Sequence, residues 1–415
     1  MANVSSRNGI EKRPKLQFRD ANGQLFPAWK QYRFDMLYKP VSEKNDLSYG
    51  VESIISVANM YFKPDARISD PEYLRTYNIF KYGDIAFEGN KSKSYANGRF
   101  VENTIGDGIV SHVFNVLRPL SPIHNLEYWK YAINNENVMG RILARCTKKT
   151  TMMTNLVTSD FMEQEICCPV ESEQEKIALF LSLIERRLIA QEQLVEHLKK
   201  YKRGVIQAVF DDEKRDLFGE MSSGKQVKLS DLMDFQNGIN ADASKYGRGI
   251  RYISVSDILK NNFITYDKII GQVDIDSRAL ATYSVTYGDV LFQRSSETRE
   301  DAGRSNVYLD TEKTATFGGF VIRGKKKGDY DPLYLKYALD SFVVRKQIMQ
   351  CAAGAQHINV SQEDLCNIVV NLPTIDVQNR ISKFISDIDS RIATEEKKAN
   401  AQATLKKALL QQLFI

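Results

Sequence analysis

The chain contains two copies of a segment of about 205 residues, and this repeat constrains its fold more than any other feature. Residues 155–210 align without a gap on residues 359–414, and thirteen of the 56 aligned pairs are identical. Upstream, Tyr82–Phe87 matches Tyr287–Phe292, and Lys130–Ile133 matches Lys336–Leu339. Two copies of this size are too few and too large for a solenoid. The sequence therefore predicts a tandem duplication that folds with pseudo-twofold symmetry.

Each copy begins with a segment that predicts a mixed α/β globule. Gly83–Phe87 and Gly319–Ile322 are apolar runs beside turn residues and indicate strands. Leu126–Ile133 and Pro332–Ser341 have helical periodicity and indicate short helices. The predicted domains are a tail with the first globule (1–170), a first long helix (171–210), a linker with the second globule (211–373) and a second long helix (374–415).

Each copy ends with a long amphipathic helix whose apolar residues follow heptad spacing. Gln191 and Lys202 interrupt the first seam, and Glu395, Gln402 and Lys406 interrupt the second. Two matching seams in one chain favour an antiparallel coiled coil, although two unrelated surface helices would show the same periodicity. The seam residues are Ile177, Leu181, Ile184, Leu188, Val195, Leu198, Val205 and Val209 in the first copy, and Ile381, Ile385, Ile388, Ile392, Ala399, Leu409 and Leu413 in the second.

The order of these motifs resembles the specificity subunit of Type I restriction-modification enzymes. Tyr-Gly-Asp-hydrophobic-x-Phe occurs in each globule, and Asn155–Asp160 and Asn359–Asp364 each precede an apolar strand. Pro169 and Pro373 follow, and Gln-x-x-Ile then opens each long helix. The resemblance covers nearly the whole chain. It implies two target-recognition domains that alternate with two helical regions packed as an antiparallel coiled coil.

The resemblance also implies partners, because such a subunit recognises double-stranded DNA and does no chemistry itself. Two methylation subunits would carry S-adenosylmethionine and modify adenine in each half-site, and ATP-dependent restriction subunits would cleave. A helix of about 35 residues is about 50 Å long, which suits two half-sites separated by an unread spacer of fixed length. The central regions of the globules differ, so we expect an asymmetric site. A methylation-only system remains open, as does a coiled-coil adaptor with two protein-binding globules.

Polar and basic loops in both globules are the candidate DNA contacts, because Arg, Lys, Asn and Gln can pair with base edges or phosphates. Ordinary polar surface loops have the same composition, so each residue is a hypothesis. The candidates are Asn90, Lys91, Lys93, Tyr95, Asn97, Arg99, Lys148 and Lys149 in the first globule, and Lys245, Tyr246, Arg248, Arg251, Arg294, Ser295, Arg299, Arg304 and Gln356 in the second.

The long helices carry two further features. Lys199, Lys200, Lys202 and Arg203 form a basic run, which indicates a solvated face or partner surface more strongly than a contact to spacer phosphates. The apolar ends, 205–210 and 409–415, indicate docking surfaces, closure of the coiled coil, or both.

The motifs of the common enzymes are missing from the sequence. It has no Pro-Pro for an Asn/Asp-Pro-Pro-aromatic methyltransferase motif, no Gly-Lys-Ser/Thr and no zinc spacing of Cys and His. We therefore expect no catalytic site, no metal and no cofactor on this chain. Five cysteines without framework spacing, and no apolar run of membrane length, predict a cytoplasmic protein. The net charge of +5 is compatible with nucleic acid without requiring it.

Overall fold

The computed structural model describes residues 12–68, 70–90, 92, 94–120, 125–150, 153–210 and 224–415. The chain divides into two compact units, Met1–Gln191 with Lys398–Ile415, and Glu192–Lys397. The division falls inside both long helices. Each unit therefore contains one globule, the N-terminal part of one long helix and the C-terminal part of the other.

The first unit is built around a four-stranded antiparallel sheet in the order β2-β9-β6-β7. Short two-stranded ladders β1-β12, β3-β4, β5-β8 and β10-β11 surround it. Its strands are β1 (Lys30–Arg33), β2 (Tyr38–Pro40), β3 (Ile55–Ser56), β4 (Tyr61–Phe62), β5 (Asn78–Phe80), β6 (Ile85–Glu88), β7 (Arg99–Glu102), β8 (Gly108–Val110), β9 (Val116–Pro119), β10 (Thr147–Lys149), β11 (Thr154–Leu156) and β12 (Glu165–Cys168). Its helices are α1 (Leu126–Ala132), α2 (Glu136–Cys146), α3 (Thr158–Met162) and the beginning of α4 (Glu171–Phe210).

The second unit repeats this plan with a four-stranded sheet in the order β14-β21-β17-β19. Its strands are β13 (Lys225–Lys228), β14 (Met233–Asn237), β15 (Tyr246–Ile253), β16 (Gln272–Val273), β17 (Val290–Gln293), β18 (Ser295–Ser296), β19 (Ser305–Val307), β20 (Thr316–Phe317), β21 (Val321–Lys326), β22 (Ile358–Asn359) and β23 (Val369–Leu372). Its helices are α5 (Leu229–Leu232), α6 (Val255–Lys260), α7 (Ser277–Thr282), α8 (Pro332–Asp340), α9 (Phe342–Cys351), α10 (Gln362–Cys366) and the beginning of α11 (Ile375–Leu413).

The Tyr-Gly-Asp motif has a structural role that is the same in both units. Gly83 and Gly288 have φ values of +86° and +89°, a conformation that glycine adopts without strain. The next residues, Asp84 and Asp289, are 1% exposed, and each side chain accepts a hydrogen bond from the backbone three residues before it. The motif thus forms the turn into the central strand of each sheet.

A glutamine at the start of each long helix joins that helix to its globule. The Gln174 side chain donates to the Pro169 carbonyl at 3.0 Å and accepts from the backbone of Asn125, the residue that caps α1. Gln378 makes the equivalent bonds to the Pro373 carbonyl and the backbone of Asp331, which caps α8. The repeated Pro and Gln therefore fix where each helix starts.

In each unit, the two long helices pack against each other and against a globule helix. Leu181 and Leu413 are fully buried in the core of the first unit, together with Trp129 of α1. In the second unit Val205 and Phe210 are buried with α11 residues and with Tyr334 of α8. The pairs Lys199–Glu396 and Lys202–Asp389 show that α4 and α11 run antiparallel there. Much of each apolar helix end is buried in these cores, including Val209 and Leu413, so the ends contribute to closure of the helix pair.

Each unit also has a polar triad at equivalent positions. In the first, Glu185 accepts from Tyr131 Oη at 2.7 Å and from Lys406 Nζ at 2.7 Å. In the second, Asp389 accepts from Tyr337 Oη at 2.9 Å and forms an ion pair with Lys202 at 2.6 Å. The lysines that interrupt the apolar seams are therefore paired with a carboxylate of the opposite helix.

None of the helices in the described part of the chain has both the length and the apolar character needed to cross a membrane.

Candidate nucleic-acid interface

The first unit presents a basic ribbon beyond the end of its central strand β6. Asn90 pairs with Met153, the Thr154 amide donates to the Gly89 carbonyl at 2.8 Å, and Lys149 lies opposite Thr154 in the β10-β11 ladder. Three extended segments thus lie side by side. We call the exposed residues Asn90, Lys148 and Lys149 the basic ribbon. Because neither lysine makes an ion pair with another described residue, both ammonium groups can contact phosphate or base edges.

Tyr95 and Asn97 lie in the loop that returns to β7, beside α2. The Asn97 amide donates to the Gly140 carbonyl of α2 at 3.4 Å, and the Tyr95 ring lies 5.0 Å from the Arg99 guanidinium. Gly98, which lies between Asn97 and Arg99, has a φ of +77°. A Cβ atom at this position would lie 2.7 Å from the Glu88 carbonyl oxygen, so the backbone approaches closely there. The loop is therefore held against the globule. Lys91 and Lys93, which the sequence analysis also selected, fall outside the described residues.

Arg99 is engaged inside the first unit. Its Nε donates to Glu88 at 2.7 Å and its Nη2 donates to the Ala58 carbonyl at 2.6 Å. Burial alone would lower the pKa of Arg99, but the ion pair with Glu88 raises it. With its side chain only 24% exposed, Arg99 is better placed to support the loop than to contact a base.

A glycine-flanked bulge presents Arg248 in the second unit. The register of the β15-β16 ladder shifts between Tyr246 and Ile250. Gly247 and Gly249 have φ values of +94° and +91°, so this sharp excursion requires glycine. Arg248, between them, has a side chain that is 73% exposed and makes one surface ion pair, at 3.2 Å, with Asp274.

The neighbours of the bulge brace it. Lys245 is exposed, and its carbonyl accepts from the Asp274 amide at 2.8 Å. The Tyr246 ring packs edge-on against Tyr252 at 5.3 Å, and burial together with their mutual hydrogen bond raises the pKa of Tyr252 to about 12. The Arg251 guanidinium lies 5.9 Å from the Tyr266 ring. Arg248 and Lys245 are thus the accessible cations of this strand, whereas Arg251 is half-buried.

A second group of candidates lies on the segment between β17 and β19, residues 294–304, which includes the short strand β18 and which we call the recognition loop. Its first part is held in place: the Arg294 amide donates to the Phe320 carbonyl at 2.9 Å, and Ser295 pairs with Asn359. The exposed Arg299 donates weakly to the Met349 carbonyl at 3.3 Å, and Arg304 lies 3.5 Å from Asp301. A fixed loop base with exposed guanidinium groups suits DNA contact.

The recognition loop borders a concavity of about 510 Å³ lined by residues that include Ser295, Phe320 and His357. Gln356, beside His357, is exposed. The sequence analysis did not select Phe320, although it is 69% exposed and could stack on a base. Its signal in the sequence is the Gly318-Gly319 pair before it. The Val321 amide donates to the Gly318 carbonyl at 2.8 Å, which closes a turn that contains Phe320.

Other exposed cations near the basic ribbon escaped the sequence analysis too. Arg141 and Arg145 are exposed on α2, the helix that leads directly into β10. Their helical spacing of four residues gave no signal beyond that of a solvated face.

No group of three or more His, Cys, Asp or Glu side chains in the described ranges is arranged to hold a metal ion.

Comparison with known proteins finds similarity to one family in both sequence and fold. Residues 221–404 match the family model described as the Type I restriction modification DNA specificity domain. The chain is 20% identical over 267 residues to the MjaVIII Type I restriction enzyme specificity subunit of Methanocaldococcus jannaschii. That alignment covers 61% of this chain and 62% of the relative, so the chain spans less than two thirds of the length of that protein.

Solved structures share the fold over nearly the full length. The chain is 17% identical to the Type I restriction-modification system S subunit from M. genitalium, with a TM-score of 0.53 and coverage of 97% of this chain and 99% of that one. A chain from a study of complex assembly and conformational transition of the type I R-M system gives a TM-score of 0.61 at 16% identity, covering 93% and 97%. At these identities the likeness concerns the fold.

Proposed function

We propose that this chain is a specificity subunit of the Type I restriction-modification family and that it recognises a bipartite, asymmetric site in double-stranded DNA. Each globule contacts one half-site. One observation carries the proposal: both units place exposed cations beyond the strand that follows Tyr-Gly-Asp, on sheets of the same strand order, while the loops themselves differ. A shared scaffold with different loops suits two different half-sites.

In the first unit, Lys148 and Lys149 of the basic ribbon are the primary contacts, with Asn90 beside them. In the second unit, Arg248 of the bulge and Arg294 and Arg299 of the recognition loop are the primary contacts. Exposed guanidinium groups can bind guanine O6 and N7 as a pair, and lysines neutralise phosphates. The half-buried Tyr95, Asn97 and Arg251 hold these surfaces in shape.

Catalysis belongs to partner subunits in this proposal. Two methylation subunits with S-adenosylmethionine would modify adenine in each half-site, and restriction subunits would use ATP to translocate and cleave. The assembly would act in the cytoplasm, where the DNA of the host lies.

Genome-wide mapping of methylated adenine tests the proposal. The chain is co-expressed with its methylation subunits in a host free of other adenine methylation, and methylated positions are sequenced. We expect one gapped, two-part motif. Methylation that is scattered or missing, while the assembled complex is present, contradicts the proposal.

A salt titration separates DNA recognition from an adaptor role. The affinity of the complex for a duplex that carries the motif should fall steeply with salt concentration, because phosphate contacts release counterions. An adaptor with protein-binding globules would show no preference for that duplex over a scrambled one.

A further inference from the structure

The basic run on the first long helix opens onto a cleft within the second unit. This cleft, of about 610 Å³, is lined by Lys199, Lys202 and Arg203 of α4, by Lys260 and Asn262, by Arg304 of the recognition loop and by Arg345 of α9. Three carboxylates, Asp340, Asp389 and Glu396, also line it. Six cationic side chains therefore face three anionic ones.

Each of the three carboxylates is already neutralised. Glu396 pairs with Lys199 at 2.7 Å, Asp389 pairs with Lys202 at 2.6 Å, and Asp340 pairs with Lys336 at 3.0 Å. Because these pairs account for every acid of the lining, the remaining four cations give the cleft its charge.

Three of those four cations have weak ionic partners or none among the described residues. Arg203 reaches Glu196 at 3.4 Å on the open surface, and Arg304 reaches Asp301 at 3.5 Å. Lys260 is exposed at the end of α6 and forms no ion pair within the described chain. Surface pairs of this length contribute little, so these charges remain available to a bound anion.

Arg345 points to an anion most directly. It is 6% exposed, its Nη2 donates to the carbonyls of Glu300 and Ala302, and its buried Nη1 has no hydrogen-bond partner among the described residues. Burial, and then repulsion by Arg304, lower the pKa of Arg345 to about 10. An unpaired buried guanidinium beside a second one is costly unless an anion compensates it.

The buried arginine of the cleft has no charged counterpart in the first copy. Arg345 aligns with Gly140 at the offset that pairs Cys146 with Cys351, and with Met139 at the offset that pairs Lys130 with Lys336. Neither residue is charged. Arg345 therefore is not a consequence of the duplicated framework, whereas Lys202, which repeats as Lys406, belongs to it.

We infer that this cleft binds a backbone phosphate of the DNA spacer, next to the half-site that the second globule recognises. The inference rests on the proposed function. Its position favours DNA over an acidic peptide. Leu259 and Asp301 line the concavity that borders the recognition loop. Lys260, the next residue along the chain, and Arg304, which lies 3.5 Å from Asp301, line the cleft. The cleft and the concavity therefore lie next to each other, so a duplex that contacts the loop would pass close to these cations.

The test measures DNA affinity of the complex with its methylation subunits, comparing wild type with Lys260→Gln, Arg304→Gln and their double variant. Lys383→Gln, an exposed lysine of α11 outside the cleft lining, is the matched control. We expect each cleft variant to bind the specific duplex three- to tenfold more weakly, with the salt slope reduced by about 1. The control should match wild type.

Duplexes with neutral methylphosphonate linkages at one or the other side of the spacer locate the contact. The loss caused by Lys260→Gln should disappear on one of these duplexes and persist on the other. Unchanged affinity of both variants, while wild type binds its bipartite site, overturns the cleft assignment alone. If wild type binds no such site, the proposed function itself fails. A third outcome is that the variants assemble poorly with the methylation subunits, while the complex that does form binds DNA with wild-type affinity. That outcome would assign the cleft to a protein carboxylate and overturn the inference.

Discussion

Arg99 and Lys148 carry the same charge in the same unit, yet their surroundings give them different roles. Arg99 is held by the 7%-exposed Glu88 and by a backbone carbonyl. Lys148 is exposed on the β10 strand and makes no ion pair with a described residue. Sequence composition selects both as DNA contacts, because it does not reveal which of the two cations forms an ion pair with a buried carboxylate.

Substitution should separate these roles. Arg99→Ala leaves Glu88 without its ion pair, so we expect the free energy of unfolding of the first unit to fall by about 2 kcal/mol. Lys148→Ala should leave the free energy of unfolding unchanged and weaken specific DNA binding severalfold. Tryptophan fluorescence during urea unfolding reports on this unit, because both tryptophans, Trp29 and Trp129, lie in its core. Equal loss of stability in the two variants would contradict the assignment.

Glu102 gives the first unit a distinct dependence on pH. It is 5% exposed, its Oε2 has no hydrogen-bond partner among the described residues, and burial, with repulsion by Glu127, raises its pKa from 4.5 to about 9. Between these values the folded protein binds one more proton than the unfolded chain. The contribution of Glu102 to the free energy of unfolding is therefore complete below pH 4.5 and is lost as the pH rises to about 9.

The Glu102→Gln variant tests this dependence between pH 7 and pH 9, above the raised pKa of Glu173, which is about 7. We expect the free energy of unfolding of the wild type to fall by up to about 1.4 kcal/mol per pH unit in this range because of Glu102, and this fall to be missing from the variant. Glu163→Gln, at an exposed position, is the control. A wild-type-like slope in Glu102→Gln would refute the raised pKa.

The long helices show how much of an element its sequence can predict. Heptad spacing locates α4 and α11 almost to the residue, and the helices predicted over 126–133 and 332–341 are observed as α1 and α8. Periodicity cannot explain Lys202 and Lys406, since a charged residue in an apolar seam signals only an interruption. The structure supplies the reason, because each lysine meets a carboxylate of the opposite helix in a polar triad. Polar seam residues of this kind specify register in coiled coils.

The two triads should differ in their response to losing the lysine. Lys202→Met leaves Asp389, whose side chain is 14% exposed, with only the Tyr337 hydroxyl of its triad, and we expect a loss of about 2 kcal/mol. Lys406→Met should cost less, because Lys130 remains 3.2 Å from Glu185. Hydrogen exchange of the helix peptides in each unit measures both effects. Replacing Asp389 with Leu in the Lys202→Met background should restore protection; a further loss would contradict this account.

At the scale of the whole molecule, the sequence predicts the duplication and its fold class but not its chemistry. The repeated sheet order follows from repeated apolar patterns. The cleft around Arg345 could not be predicted, because it depends on side chains from segments far apart in sequence. The sequence selects Arg248 as a candidate, but it does not predict the bulge that exposes this side chain, because the bulge depends on backbone conformation. Recognition surfaces also diverge between the copies, so the repeat gives no guide to them.

The helix length should set the spacer of the DNA site. One heptad inserted between Gln191 and Glu192, together with one between Lys397 and Lys398, leaves the contacts within each unit intact, since the division falls at these positions. Seven residues add about 10 Å, or about three base pairs. We expect the methylated motif to keep both half-sites and to gain about three spacer positions, as read by methylation mapping. An unchanged spacer length in an active complex would contradict the hypothesis that the long helices set the distance between the half-sites.

The division of the chain also affects how it emerges from the ribosome. The second unit is continuous in sequence, whereas the first needs Leu413 and Phe414, which are buried against Trp29 and Tyr128 of its core. During synthesis, the first globule therefore stays incomplete until the whole second globule has left the ribosome and residue 414 has been made. A nascent chain that stops early therefore contains a finished second unit and an unfinished first one, which leaves apolar core surface for chaperones and proteases to detect.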